Sequence, residues 1–184
     1  ISSTRSEIGC AITTCTPGKV FSLVRIASAM GRPARVEELA WREGANRAHE
    51  AARVARYRAL CAAAHRCGAR VIVTGHTGDD QAETVLMRLL QGAGPRGLGG
   101  IAPARGPLIR PLIETRRAAI EEHLRGRGLA WAEDPSNRDP RFLRNRIRHD
   151  LLPFMAELTG ASAVEALARS AAAARAVVGD LEER

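Results

Sequence analysis

Residues 70–91 read RVIVTGHTGDDQAETVLMRLLQ, and this stretch decides the fold because its hydrophobic pattern changes period within it. The opening run RVIVT is β-branched and apolar, which is typical of a short parallel strand buried on both faces. From residue 79 to residue 91 the apolar positions instead follow the spacing of a helix. The inward side of this predicted helix carries Val85, Leu86, Leu89 and Leu90. A strand that enters a helix through a glycine-containing turn is the building unit of an α/β domain.

The turn between this strand and this helix carries the candidate chemistry, since open α/β sheets hold their ligands at such turns. Gly75 and Gly78 allow the backbone to approach a ligand closely. His76, Asp80 and Glu83 can converge there, because the two acids lie one turn apart on one helix face. Such carboxylates can hold Mg²⁺ or a substrate ammonium group. The same acids also fit a helix-capping box, so the pattern alone leaves both interpretations open.

The rest of the chain extends this order of strands and helices. A long helix is predicted over residues 46–67. Its buried stripe is predicted to comprise Val54, Tyr57, Cys61 and Ala64. Thr115 is predicted to cap a helix that ends near residue 127, and two further helices are predicted near 142–157 and 162–183. We therefore predict an α/β fold with a parallel sheet and flanking helices, followed by a helical segment.

Residues 92–100 read GAGPRGLGG and contain a literal G-x-G-x-x-G. This motif follows a predicted helix rather than a strand, so it fails the context that a dinucleotide-binding fingerprint requires. We interpret the segment as a mobile loop that can close on a ligand.

The charge of the chain indicates a polyanionic partner. Its 184 residues include 28 Lys+Arg against 20 Asp+Glu, a net charge of +8. Lys19 is the only lysine, and the arginines offer a planar fork that binds phosphate bidentately. The segment Arg144-Asn145-Arg146-Ile147-Arg148 is the densest such cluster, although a solvated basic helix face would have the same pattern. The 3% aromatic content argues against stacking platforms for single-stranded nucleic acid.

Several functional classes are excluded by what the sequence does not contain. No apolar run approaches the roughly 20 residues of a membrane span, and no signal peptide is recognisable. The four cysteines form no CxxC pair and are interpreted as reduced cytosolic thiols. We therefore predict a cytoplasmic protein.

Five motifs in one order give the chain a resemblance to a known family. They are the Asn46 to Tyr57 helix segment, Thr74-Gly75-His76 with Asp79-Asp80-Gln81-Ala82-Glu83-Thr84, the glycine-rich loop, Ile109-Arg110-Pro111-Leu112, and Asp134-Pro135-Ser136-Asn137 followed by Arg144 to Arg148. In this combination the chain resembles the tRNA(Ile)-lysidine synthetases, a family of N-type ATP pyrophosphatases. The resemblance covers about residues 20–158 and is most specific from 46 to 153. It implies a Rossmann-like sheet of the adenine nucleotide alpha hydrolase type.

The resemblance also implies a reaction. ATP would adenylate the C2 carbonyl oxygen of the first anticodon cytidine in an isoleucine tRNA with a CAU anticodon. The amino group of free L-lysine would then displace AMP and form lysidine, which makes the enzyme a ligase that forms a carbon–nitrogen bond. ATP and Mg²⁺ are the implied cofactors, and the oligomeric state is left open, a homodimer included.

Site residues carry over only where this sequence matches the family's motifs. The implied catalytic residues are Asp80, Arg56 and Arg144. The implied ATP-binding residues are Gly75, His76 and Arg53. Asp80 and Glu83 would bind lysine, and Asp80 would also contact the metal. The implied RNA-binding residues are Asn145, Arg146 and Arg148.

The sequence departs from the family in its first third. Family members carry a strand followed by a Ser-Gly-Gly-x-Asp-Ser loop that grips pyrophosphate, and no Ser-Gly-Gly occurs here. We therefore expect weak ATP binding and little or no activity from the chain as written. Residues 1–19 are predicted to be unmatched and disordered, 20–140 to be a partial ATP-pyrophosphatase domain that lacks strands at its N-terminal side, and 141–184 to be a helical segment that leads toward an absent C-terminal region.

Two other functions stay open at this stage. A non-catalytic, basic RNA-binding remnant would explain the missing pyrophosphate loop. Another ATP-pyrophosphatase that modifies tRNA, such as a thiolation enzyme, would share the fold, but such enzymes commonly need CxxC pairs, which are absent here.

Overall fold

The computed structural model describes residues 11–13, 31, 34–36, 48–131 and 135–182 of the chain. The chain divides into two compact units, Ile1–Ile72 and Val73–Arg184. The predicted division into 1–19, 20–140 and 141–184 remains a prediction.

The first unit contains a short parallel strand pair and one long helix. Strand β1 (Ala11–Thr13) pairs in parallel with β2 (Ala34–Val36), with Ala11 opposite Ala34. The strand β1 lies inside the segment for which we predicted disorder, because its backbone finds a pairing partner in β2; the rest of that segment lies outside the described residues. Helix α1 (Ala48–Arg66) is followed by Gly68, whose φ of 65° lies in the left-handed region.

The predicted buried stripe of α1 is wrong, because none of its four members is buried and only Tyr57 and Ala64 are half-buried. Val54 is 38% exposed and Cys61 is exposed, whereas Ala63, which we did not assign to the stripe, is buried. The helix has little polarity between its faces, since arginines lie on most of its turns, and the apolar spacing therefore gives a weak signal.

A small mixed sheet leads into the second unit. Its strands are β3 (Ile72–Val73), β4 (Ala104–Arg105) and β5 (Leu108–Ile109), in the order β3-β5-β4. The strands β4 and β5 form an antiparallel hairpin rather than the parallel arrangement we predicted, because they follow each other directly through a tight turn at Gly106. Val73 is 61% exposed, so the prediction of a strand buried on both faces is wrong.

Helices make up most of the second unit. They are α2 (Gly78–Leu90), α3 (Pro95–Leu98), α4 (Arg117–Gly126), α5 (Leu143–Arg146), α6 (Leu152–Thr159) and α7 (Ala163–Glu182), with a 3-10 turn at Pro135–Arg138. A π-helical turn, Ile147–Leu151, joins α5 to α6 into one continuous helical stretch. Pro153 explains this wide turn, because it lacks an N–H group and its ring would clash with the carbonyl of the preceding turn.

The core of the second unit lies where α2 packs against this helical stretch and against the start of α7. Its buried members are Ala82, Leu86, Ile147, Leu152, Ala163 and Val164. Val85 and Leu86 face inward as predicted, but Leu89 and Leu90 are 52% and 60% exposed. The inward prediction for these two leucines is therefore wrong, although Met87, in the same last turn, packs against the core.

Within the described ranges no single helix has the length and apolar character to cross a membrane. The segments Leu143–Thr159 and Ala163–Glu182 meet that test only as a pair, and they are bent by 94° relative to each other.

Candidate functional site

The first turn of α2 is fixed by a capping box. Thr77 is the N-cap residue, and its backbone N–H and its hydroxyl both donate to Asp80 Oδ2, at 2.9 Å each. The backbone N–H of Asp80 donates in return to Thr77 Oγ1 at 3.4 Å. A capping box does form at this turn, but the prediction that it joins an acid to Glu83 is wrong, since Thr77 and Asp80 make it.

The ionisation of Asp80 is favoured by this arrangement. Burial opposes the charged form, but hydrogen bonds from Thr77 and the positive charges of Arg144 and Arg117 outweigh it and hold the pKa of Asp80 below its ordinary value. Asp80 is therefore a fixed negative charge at neutral pH.

Glu83 is completely buried, and two arginines of the helical stretch 143–151 donate hydrogen bonds to it. Arg148 Nε donates to Glu83 Oε1 at 2.6 Å, and Arg144 Nε donates to Glu83 Oε2 at 2.6 Å. A second nitrogen of Arg148 reaches Glu83 Oε2 at 3.1 Å. The glutamate joins α2 to the helical stretch 143–151, which is 61 to 65 residues away in sequence.

Asp80 belongs to the same cluster. A terminal nitrogen of Arg144 donates to Asp80 Oδ1 at 2.9 Å, and Arg148 lies 3.8 Å from that oxygen. We call Asp80, Glu83, Arg144 and Arg148 the inner ion-pair cluster. Its two carboxylates and two guanidinium groups balance in charge, which offsets the desolvation cost of burying Glu83.

The two arginines of the inner ion-pair cluster differ in exposure. The side chain of Arg148 is 21% exposed and that of Arg144 is 41% exposed. Two nitrogens of Arg144 donate to the carboxylates, and its third nitrogen has no hydrogen-bond partner among the residues that the structure describes. Arg144 is thus the member of the cluster that can contact a ligand while keeping its internal partners.

A divalent cation does not fit the carboxylates as they are arranged. Both oxygens of Asp80 and both oxygens of Glu83 accept hydrogen bonds, and guanidinium groups occupy the space that a cation would need. Among the residues that the structure describes, no group of three or more His, Cys, Asp or Glu side chains could hold a metal ion. The predicted metal contact at Asp80 therefore has no support from this geometry.

Asp79 has a separate structural role. Its Oδ2 accepts a 2.6 Å hydrogen bond from the backbone N–H of Arg117, the first residue of α4. Arg116 lies 3.6 Å from the same carboxylate and donates to Ser162 Oγ at 2.8 Å. The N-cap of α4 is Arg116 without a side-chain cap, so the prediction that Thr115 caps this helix is wrong: Asp79, from another helix, supplies the acceptor.

The glycine-rich loop is fixed by hydrogen bonds to side chains of α2 and α7. One nitrogen of Arg88 donates to the carbonyls of Gly97 and Gly100, at 2.8 Å each. Gln81 accepts from the N–H of Ile101 at 2.6 Å, and Arg175 donates to the carbonyl of Gly99 at 2.5 Å. These bonds oppose our interpretation of residues 92–100 as a mobile loop, since its second half is fixed to α2 and α7.

Gly100 shows how close this loop lies to α2. Its φ is +66°, and a Cβ there would come within 2.6 Å of the Gln81 side chain. Sequence reasoning did not identify Gln81, Arg88 and Arg175 as the residues that hold the loop. Glycines at these positions permit such a close approach, but nothing local in the sequence indicates which side chains contact the loop.

The remaining predicted site residues fall into three groups. Gly75 is exposed, and the ring of His76 lies 2.9 Å from Thr74 Oγ1, so both lie at the turn before α2. Asn145 is buried and donates to the carbonyl of Asp139 at 2.9 Å, whereas Arg146 is exposed. Arg53 and Arg56 are exposed on α1 in the first unit, with Arg53 lying over the ring of Tyr57.

A cavity of about 660 Å³ opens beside the inner ion-pair cluster. Its floor is apolar and includes Leu152, Ala156 and Val164, while Asp79 and Arg116 lie on its wall. The unit therefore combines a polar, preorganised helix start with an adjacent cleft.

Comparison with known proteins identifies the class. The profile of the PP-loop domain matches residues 19–155, which is most of the chain, and the chain therefore belongs to the PP-loop family. This extent agrees with the range of about 20–158 predicted from the motifs. The predicted fold class, a Rossmann-like sheet with flanking helices and a helical C-terminal segment, is confirmed.

Curated relatives are proteins named tRNA(Ile)-lysidine synthase. The protein from Treponema pallidum (strain Nichols) is 51% identical over 106 residues, covering 58% of this chain and 22% of the relative. That from Pseudomonas fluorescens (strain Pf0-1) is 44% identical over 155 residues, covering 82% of this chain and 34% of the relative. That from Salinispora arenicola (strain CNS-205) is 45% identical over 138 residues, covering 73% and 41%. The predicted resemblance is confirmed, and the chain spans between about a fifth and two fifths of the length of these relatives.

A solved structure supports the fold. The U34-tRNA thiolase NcsA from Methanococcus maripaludis superposes with a TM-score of 0.68, at 15% identity, over 88% of this chain and 59% of that chain. This likeness shows the fold alone.

Proposed function

We propose that this chain is part of an ATP-dependent ligase that joins L-lysine to C2 of the first anticodon cytidine of an isoleucine tRNA. The observation that supports this proposal best is the 44–52% identity to proteins named tRNA(Ile)-lysidine synthase, over 57–82% of this chain. The net charge of +8 suits an RNA substrate.

In this proposal Arg144 is the residue that acts on the substrate. Its guanidinium is held by Asp80 and Glu83, so its remaining nitrogen is aimed without further ordering at a developing negative charge. Asp80 fixes this orientation, and Gly75 and His76 lie at the turn where the adenine nucleotide would bind. The ATP-binding role of Arg53 and the catalytic role of Arg56 stay predictions, as does the cytoplasmic location.

The lysine and metal roles are revised by the geometry. A lysine ammonium group at Glu83 would have to displace two arginines, so we propose that Glu83 holds Arg144 and Arg148 in place rather than binding lysine. ATP use follows from the PP-loop family. Mg²⁺ stays a prediction, without a ligand assigned to it in this chain.

The decisive test is a lysine-incorporation assay. Purified protein is incubated with ATP, radiolabelled L-lysine and an isoleucine tRNA transcript with a CAU anticodon, and both label in tRNA and AMP release are measured. Because the chain lacks the Ser-Gly-Gly loop, we expect a low rate, but the AMP release that occurs should require lysine and tRNA together. A transcript with uridine in place of the first anticodon cytidine should abolish both signals.

A matched pair of variants connects the assay to the site. Arg144→Gln should lower the rate at least about 100-fold, which is the usual cost of losing one preorganised charge-stabilising donor. Arg169→Gln removes the same charge from an exposed position on α7 and should leave the rate unchanged. Equal rates for the two variants would remove Arg144 from the mechanism.

The second candidate is a non-catalytic RNA-binding protein, which is favoured by the absence of a Ser-Gly-Gly motif from the sequence. It predicts binding of the same transcript with no AMP release under any condition. The incorporation assay therefore separates the two functions.

A further inference from the structure

Arg110 is a buried cation without an anionic partner. It follows β5 directly, is 8% exposed, and is the one buried basic residue in the part of the chain that the structure describes. The buried acid Glu83 differs from it, because Arg144 and Arg148 both donate to that carboxylate. Arg110 forms no ion pair with any carboxylate of the described residues.

The guanidinium of Arg110 is only partly satisfied within the chain. Its terminal nitrogen Nη1 donates to the carbonyl of Ala102 at 2.6 Å. Its Nε is buried and has no hydrogen-bond partner among the described residues. Nε and the second terminal nitrogen form the edge of a guanidinium that can bind a phosphate through two parallel hydrogen bonds. The bond to Ala102 therefore fixes the side chain and leaves this edge for an anion.

The burial of this charge is unfavourable in the chain by itself. A single carbonyl dipole does not replace the hydration that a guanidinium loses in the interior. Buried charges in proteins are normally paired, and a buried polar atom without a partner needs a specific explanation. An anion that binds from outside the chain would supply the missing partner.

The position of Arg110 places it beside the turn that precedes α2. The carbonyl of Ile109, the residue before it, accepts from the N–H of Thr74, where this turn begins, at 3.0 Å. Ala102, which holds the guanidinium, follows Ile101, whose N–H donates to Gln81 Oε1 in α2 at 2.6 Å. Both the backbone and the guanidinium of Arg110 are therefore connected to segments that flank the start of α2.

The turn beside Arg110 has room for a ligand. Gly75 is exposed, and a Cβ placed on it would meet no atom within 4 Å. Open α/β sheets hold their ligands at such strand ends. Because Arg110 is almost completely buried, the phosphate end of a small molecule can reach it, whereas the backbone of a folded RNA is too bulky.

We propose that Arg110 binds the phosphate chain of ATP. This inference rests on the proposed function for the identity of the anion. It adds a residue to the ATP-binding set that the sequence predicts, which is Gly75, His76 and Arg53. A guanidinium shielded from water attracts a phosphate more strongly than an exposed one does, so Arg110 supplies positive charge in a chain without a Ser-Gly-Gly motif.

The test is ATP binding in the absence of tRNA and lysine. The probe is ATP, titrated into the whole chain by calorimetry, and adenosine serves as the matched ligand without phosphates. Arg110→Met replaces the guanidinium with an apolar side chain. Arg105→Met makes the same change at an exposed position on β4, in the same hairpin, and is the control variant. Unfolding midpoints of both variants are measured without nucleotide.

We expect Arg110→Met to bind ATP at least about 10-fold more weakly than Arg105→Met, the usual effect of losing hydrogen bonds to a charged group. Adenosine should bind equally to both variants. Without nucleotide, the unfolding midpoint of Arg110→Met should equal or exceed that of Arg105→Met, because the substitution removes a buried charge that has no partner. Arg110→Lys keeps the charge but loses the fork, so its affinity for ATP should be intermediate.

Three results would overturn the proposal. Equal ATP affinity of Arg110→Met and Arg105→Met would mean that Arg110 serves the fold alone. A lower unfolding midpoint of Arg110→Met, with equal weakening of ATP and adenosine binding, would mean that its bond to Ala102 supports the site indirectly. Failure of the unsubstituted chain to bind millimolar ATP would leave Arg110 without this ligand.

The lysine-incorporation assay judges the ligase proposal separately. ATP binding that depends on Arg110, without lysine incorporation, keeps the role of Arg110 and rejects the reaction. Lysine incorporation with equal ATP affinity in the two methionine variants rejects only the role of Arg110.

Discussion

Two arginine–carboxylate pairs of the second unit have the same bond length and opposite surroundings. Arg148 Nε lies 2.6 Å from Glu83, and Arg141 lies 2.6 Å from Asp139. Glu83 is completely buried and the side chain of Arg148 is 21% exposed, whereas that of Arg141 is 83% exposed. The distances therefore do not indicate how much each pair contributes to the free energy of unfolding. The burial of the side chains decides that contribution.

The physical reason is the cost of an unpaired charge. In water, a guanidinium that loses its partner is solvated again, and the pair contributes little. In the interior, a guanidinium without its partner stays poorly solvated, so breaking the pair costs far more than the pair contributes relative to an apolar replacement. The inner ion-pair cluster thus fixes the position of α2 relative to the helical stretch 143–151. The pair of Arg141 with Asp139 is only a contact within a local turn.

The largest effect is expected from removing the buried acid. Glu83→Ala leaves Arg144 and Arg148 facing each other beside one remaining carboxylate, and should lower the free energy of unfolding by about 3–5 kcal/mol. Chemical denaturation measures this value. Glu122→Ala, at an exposed position on α4, is the matched control and should change the free energy of unfolding little.

A more conservative substitution of Glu83 keeps the shape of its side chain. Glu83→Gln keeps one acceptor oxygen for the arginines and turns the other into a donor, so it should lose less stability than Glu83→Ala while remaining clearly less stable than the control. If Glu83→Ala proves as stable as Glu122→Ala, burial does not distinguish the two kinds of pair and the comparison above is wrong.

The next largest effect is the difference in stability cost between substitutions of Arg148 and of Arg144. Arg148→Met removes a guanidinium that is mostly buried and should cost about 1.5–3 kcal/mol, the range for hydrogen bonds to a charged group. Arg144→Met should cost less, because this side chain is about twice as exposed and solvent screens its contacts. Activity should show the reverse order, with Arg144→Met the more damaging, and the same order in both measurements would contradict the division of roles.

How much of this site the sequence could predict depends on the sequence distance over which each contact acts. The turn before α2 and the placement of Asp80 and Glu83 one turn apart on that helix follow from local spacing, and the structure shows both. The partners of these acids lie 61 to 65 residues away, and no local pattern pairs Arg148 with Glu83. The same limit explains Thr115: its helix is capped by Asp79, which only the tertiary packing brings near.

The exposure of Leu89 and Leu90 teaches the same lesson about packing. The spacing of apolar residues along α2 defines a face, but how much of that face is covered depends on tertiary packing and not on the spacing. Val85 and Leu86 are buried, whereas Leu89 and Leu90 are exposed. The resemblance to a known family, in contrast, depended on the order of motifs along the whole chain, and the family comparison confirmed it.

A smaller effect is expected from pH. The pKa of Asp80 is lowered in the folded protein, because its hydrogen bonds with Thr77 and the charge of Arg144 outweigh its burial. A carboxyl group of this kind contributes stability above its unfolded-state pKa, and loses the contribution as the pH falls through its lowered folded-state pKa. The free energy of unfolding should therefore decline from neutral pH toward about pH 3. The decline should be shallower in Asp80→Asn than in the exposed control Asp180→Asn, and parallel curves would assign the decline to other groups.

The smallest effect is expected at the surface pair. Arg141→Ala removes a side chain whose three contacts to Asp139 look as good as any in the inner ion-pair cluster. Asp139 would be solvated again at once, and its carbonyl would still accept the hydrogen bond from Asn145. The unfolding midpoint should therefore stay within experimental error of the wild type. A clear destabilisation would mean that the turn at residues 139–141 orders the helical stretch behind it, and Asp139→Asn, which keeps the turn geometry but not the charge, would then show whether the ion pair or the turn is responsible.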